Sequence, residues 1–118
     1  MRAFIFMVAV LIPSAVFAHA FLDHADPKVG SAVQVAPAEI KVWFTETIEP
    51  AFSTLKVLDA GGNVVDKKDV HLDSKDKTLL IVSVPQLATG EYKVVWSVVS
   101  SDTHHTQGDF KFKIKAKE

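Results

Sequence analysis

Leu87-Ala88-Thr89-Gly90-Glu91-Tyr92-Lys93-Val94-Val95-Trp96-Ser97-Val98 is the stretch that decides the fold. Tyr92, Val94, Trp96 and Val98 lie two apart, so an extended chain turns all four to one face. Side chains of that size on one face demand a core on that side. The same spacing recurs along the chain. Ile40, Val42 and Phe44 share a face of Ile40–Thr45, and Leu55 and Val57 share one of Thr54–Leu58. Thr78–Val84 is an apolar run stopped by Pro85. Phe110, Phe112 and Ile114 alternate with Lys111, Lys113 and Lys115, which reads as a half-buried strand with a charged outer face. Asp59-Ala60-Gly61-Gly62-Asn63 supplies a hairpin loop, since glycine and asparagine accept positive φ at small cost.

From residue 19 onward no segment carries an apolar stripe of helical period. About seven short strands in one domain predict an all-β chain built as a two-sheet Greek-key sandwich or barrel. Leu87-x-x-Gly90-x-Tyr92 matches the pattern of a tyrosine corner leading into a late strand of an immunoglobulin-like fold. Tyr92 and Trp96 are read as core residues.

The first eighteen residues, MRAFIFMVAVLIPSAVFA, are of another kind. One positive charge at Arg2 precedes an apolar run from Ala3 to Ile12, followed by Pro13-Ser14 and small residues at Val16 and Ala18. This is the pattern of a secretory signal peptide over 1–18, cut after Ala18. The run is shorter than the ~20 apolar residues a membrane span needs. The expected organisation is therefore a leader, 1–18, and one exported domain, 19–118.

Composition narrows the chemistry. Thirteen basic and fourteen acidic side chains leave no positive excess to bind a phosphate backbone. There is no cysteine, which excludes disulfides, thiolate zinc sites, iron–sulfur clusters, blue-copper centres and a cysteine nucleophile. Met1 and Met7 both fall in the leader, so the exported domain has no sulfur ligand of any kind. No Gly-x-Ser-x-Gly elbow points to a hydrolase. The five histidines are the remaining nitrogen donors.

Two places concentrate groups able to bind a metal. Cleavage after Ala18 would put His19 at the amino terminus, where it offers an α-amine and an imidazole from one residue. Ser100-Ser101-Asp102-Thr103-His104-His105 follows the Tyr92–Val99 strand, and extended geometry would point Asp102 and His104 together and turn Thr103 and His105 away. Two imidazoles, an amine and a carboxylate form a nitrogen–oxygen set that suits Cu(II), with zinc and nickel less favoured. His24 and His105 are secondary candidates. The odd offset of His24 from His19 sets it on the opposite face of a regular strand, and His105 is next to His104. His71, among Asp69, Asp73 and Asp76, reads as a solvated loop residue.

These residues fit a known pattern. His19 begins the exported domain, and Asp26-Pro27-Lys28-Val29-Gly30 forms a proline-glycine turn. Val42-Trp43-Phe44-Thr45-Glu46 stands where F-S-E is typical, and Phe52-Ser53 and Leu87–Trp96 follow. Val99-Ser100-Ser101-Asp102-Thr103-His104, with Gly108 and Phe110-Lys111-Phe112, is the most specific block. Across essentially all of 19–118 the chain resembles the periplasmic copper-resistance protein C (CopC) family. The resemblance implies a cupredoxin-like or immunoglobulin-like barrel or sandwich that binds Cu(II) in the periplasm without turnover, for copper sequestration or delivery. It implies His19, Asp102 and His104 as metal ligands and Glu46 as an acidic group close to the copper, either orienting an imidazole or serving as a weak ligand itself. It also implies a monomer serving an inner-membrane copper transporter of the CopD type. Some members carry a methionine-rich Cu(I) site; Asp59–Asp76 holds no methionine, so the resemblance is to a Cu(II)-only type. Two other functions compete: a copper-dependent monooxygenase with a similar N-terminal histidine, and a metal-free immunoglobulin-like interaction module.

Overall fold

The computed structural model describes residues 20–116. The expected leader and His19 lie outside the described residues. Among the described residues eight strands form, β1 (Leu22–Asp26), β2 (Ala32–Val33), β3 (Glu39–Phe44), β4 (Thr54–Leu58), β5 (His71–Leu72), β6 (Leu79–Ser83), β7 (Gly90–Val99) and β8 (His105–Ile114), with a 3₁₀ turn at Pro50–Phe52. They make two four-stranded sheets, ordered β1-β3-β6-β5 and β2-β8-β7-β4. Pairing is antiparallel except where β2 runs parallel to β8. The all-β sandwich that the alternation predicts is the fold that forms.

The strand number exceeds the expectation because the two-residue strands β2 and β5 each cap one edge of a sheet. Pairs that short leave no period for a sequence to display. His71 is accordingly not a loop residue: it pairs with Ile81 as part of β5, although its side chain stays exposed. The strand expected at Phe110–Ile114 is the tail of a longer one, since β8 starts at His105 and is laddered to β7 along its length.

The inward faces meet as the spacing requires. Tyr92, Val94, Trp96 and Val98 of β7 and Phe110, Phe112 and Ile114 of β8 pack into one cluster with Ile40, Val42 and Phe44 of β3. Phe44 meets Trp96 edge-on across the sandwich at 5.3 Å between ring centroids, and Tyr92 stacks on Phe112 at 5.5 Å. Such aromatics contribute large apolar area to a core that contains no cross-links. The Tyr92 hydroxyl donates to the Ala88 carbonyl at 2.7 Å, which closes the corner before β7. Gly108 of β8 lies opposite Trp96, and a Cβ there would stand 2.6 Å from Cζ2 of the indole. The indole lies across β8 because that position has no side chain.

Candidate metal centre

The hairpin between β7 and β8 reverses within three residues. The Ser100 N–H donates to the His104 carbonyl and the Thr103 N–H to the Ser100 carbonyl, each at 2.9 Å. Thr103 closes the loop at φ 69°, so Ser101–Thr103 has the hydrogen bonds and left-handed residue of a three-residue hairpin loop. A β-branched residue is strained there, by an amount on the order of 1–3 kcal/mol. The turn carries Asp102 and His104 on one side. Asp102 Oδ2 lies 3.1 Å from His104 Nδ1, with the side chains 43% and 40% exposed, so both can be reached from solvent.

Asp102 and His104 therefore do lie together, but not for the reason that alternation suggested. They belong to a reversal, and only His105 is in a strand. His105 turns to the exposed side, where Nε2 and the Ser97 hydroxyl are 2.6 Å apart.

Ser100 holds this arrangement from beneath. It is 1% exposed, its backbone bridges to Ile48, and its hydroxyl donates to Asp102 Oδ1. That hydroxyl first, and the His104 side chain second, hold the Asp102 carboxyl below its ordinary value. The group is thus an anion, a suitable oxygen donor for a borderline cation. Ser100 was visible in the sequence as a polar residue continuing the inward series Tyr92, Val94, Trp96, Val98, and sequence reading passed over it.

Two further segments converge on this end. After β3 the chain bends at Thr45–Glu46 and runs along the hairpin: the Ser101 N–H donates to the Thr47 carbonyl at 2.9 Å and the Glu49 N–H to the Val99 carbonyl at 2.8 Å. Glu46 is half-buried on this bend, one residue before the contact with Ser101. The second segment is the start of the described chain. Ala20 is fully buried, and its carbonyl accepts from the Thr106 hydroxyl at 2.5 Å. The Phe21 N–H donates to the Thr45 hydroxyl at 2.9 Å, and the Thr45 N–H returns to the Phe21 carbonyl at 2.8 Å.

His24 stands elsewhere. A bulge between Leu22 and His24 breaks the alternation of β1, and the imidazole stacks on Trp43 at 4.3 Å and 11°. Its Nδ1 lies 2.6 Å from Asp23 Oδ2. Among the described residues no group of three His, Cys, Asp or Glu side chains is close enough to hold a metal.

The family model described as CopC domain matches residues 22–115. The chain belongs to the CopC family. CopC relatives include "Protein YobA" of Escherichia coli K12, 34% identical over 89% of this chain and 86% of that protein. "Copper resistance protein C" of Pseudomonas syringae pv. tomato is 32% identical over 94% of this chain and 92% of that protein. The crystal structure of CopC from Methylosinus trichosporium OB3b aligns with a TM-score of 0.79 at 32% identity, over 85% of this chain and 97% of that one. "Copper transport protein CutJ" of Bacillus subtilis matches 89% of this chain at 29% identity, and there the chain spans only 20% of the longer protein.

Proposed function

We propose that this chain is an exported copper-binding protein that sequesters or hands on Cu(II) in the periplasm, without turnover. The metal is held by His19 through its amine and imidazole once the leader is cut after Ala18, by His104 through imidazole, and by Asp102 as a weaker oxygen ligand. The observation that carries this reading is the Asp102–His104 pair, 3.1 Å apart at the same end of the sandwich where Ala20 is anchored. Nitrogen and carboxylate donors suit Cu(II) in a tetragonal arrangement, and a domain without cysteine or methionine lacks the soft sulfur ligands of a dedicated Cu(I) site. Glu46 acts from the neighbouring bend by orienting an imidazole. The names of the relatives, two of them given to copper resistance and copper transport, support the cargo. By resemblance to the family, an inner-membrane copper transporter of the CopD type is the fitting partner for this chain, which acts as a monomer; the match to one-fifth of a copper transport protein of Bacillus subtilis supports a link to copper transport.

The test compares two proteins, one beginning at His19 and one retaining Ala18 ahead of it. Retention turns a basic amine into an amide that cannot bind as the amine does. Competition titration with Cu(II) is expected to show much weaker binding by the extended protein, with a changed cupric spectrum. Equal affinity and an identical spectrum would overturn the assignment.

A further inference from the structure

We propose that Thr106 is a positioning residue: its hydroxyl sets where the N-terminal ligand meets the copper-binding hairpin. This rests on the reading of His19 as a ligand and adds a determinant that the ligand set does not contain.

Thr106 and Gly108 of β8, and His104 just ahead of it, fall two apart and are less exposed than their neighbours His105, Gln107 and Asp109. A threonine with its side chain on the inner side of a strand needs a partner for its hydroxyl. Thr106 finds it in the Ala20 carbonyl at 2.5 Å, 86 residues away in sequence. Ala20 has no exposed surface, so water does not replace that donor readily. One residue on, Thr45 from the other side of the sandwich binds Phe21 through both its hydroxyl and its N–H. Ala20 and Phe21 are thus fixed by two threonines, one beside each sheet. The chain thus runs toward the proposed ligand from a fixed point at Ala20. Thr106 is only two positions from His104, ~7 Å along a strand. A bidentate ligand whose root is fixed loses less freedom on binding than one on a loose tail. Valine in place of Thr106 keeps shape and strand propensity and removes only the hydroxyl.

The experiment uses proteins beginning at His19: wild type, Thr106→Val, Thr106→Ala and Thr106→Ser, beside the protein that retains Ala18. Cu(II) affinity is measured by chelator competition and the site by cupric electron paramagnetic resonance. Thr106→Val and Thr106→Ala should each lose roughly tenfold in affinity, the scale of one hydrogen bond left unmade. Their spectra should show a second cupric species, and Thr106→Ser should restore wild-type affinity and a single species. A merely structural role would lower the melting temperature of the metal-free variants while leaving affinity and spectrum of the folded protein unchanged, and that result overturns the proposal. Equal loss in Thr106→Ser and Thr106→Val also overturns it. Wild-type binding by Thr106→Val beside weak binding by the Ala18-retaining protein refutes this inference alone, whereas equal binding by the Ala18-retaining protein removes the reading beneath it.

Discussion

Replacing Gly108 by alanine isolates one steric contact between β8 and the core. Gly108 does not use a positive φ, so alanine meets no backbone penalty in the folded state, and the native-state cost comes from the added Cβ. That atom would stand 2.6 Å from Trp96 Cζ2, 2.9 Å from Cε2 and 3.3 Å from Cη2. Carbon atoms prefer separations of ~3.5–4.0 Å, so ring or strand must yield by about 1 Å. The ring has little room, because Trp96 is 6% exposed and meets Phe44 on the opposing sheet. Overpacking of this kind costs ~1–3 kcal/mol, offset by a few tenths to about 1 kcal/mol from removing glycine's freedom in the unfolded chain. The net cost of about 1–2 kcal/mol corresponds to a fall in melting temperature of roughly 5–15 °C for a domain of this size. Calorimetry measures it, and near-ultraviolet circular dichroism reports the displaced indole. A double-mutant cycle with Trp96→Phe identifies the obstacle: with the smaller ring, Gly108→Ala should cost markedly less. An unchanged melting temperature, or an equal cost in both backgrounds, would refute the steric account.

Other predictions follow from single contacts. Ser100→Ala removes the donor to Asp102 Oδ1 and should weaken Cu(II) binding roughly three- to tenfold while the metal-free protein stays folded, as titration and a thermal melt would show; undiminished affinity counts against the support role. Tyr92→Phe leaves the Ala88 carbonyl without its donor and should cost about 1–2 kcal/mol in urea unfolding. Asp76 is held below the ordinary carboxylate value of 3.8, chiefly by the Thr78 hydroxyl and then the Thr78 N–H. A carboxyl lowered in the folded state contributes stability that is complete above that value and is lost as pH falls toward the lowered one. Urea midpoints of Asp76→Asn should therefore lie below wild type near neutrality and converge on it as pH drops below about 4; a constant gap would contradict the assignment. Under the proposed ligation, copper displaces protons from an amine and imidazoles, so affinity should fall as solutions become acidic, and a flat titration would argue against these ligands.

The fold was legible wherever alternation ran for three or more inward residues, as in β3, β7 and β8, because burial on one face imposes a period of two. It was illegible where pairing is brief, as at His71 in β5, or where a bulge defeats parity, as at His24 in β1. In the hairpin, Asp102 and His104 could be paired from their spacing, yet the cause is a reversal closed by Thr103, which an alternation rule does not describe. Thr106 carried no local signal. Its role depends on a carbonyl at Ala20, and only the register of the whole sandwich brings that carbonyl within reach.

The fastening of Ala20 and Phe21 has a consequence for proteolysis and for protein production. With one threonine gripping from each side, this opening segment laces the mouth of the sandwich, and Ala20 forms part of the wall behind it. A chain trimmed past Phe21 would lose the contacts to both threonines. It would leave a greasy gap at that mouth, so faulty trimming should surface first as aggregation.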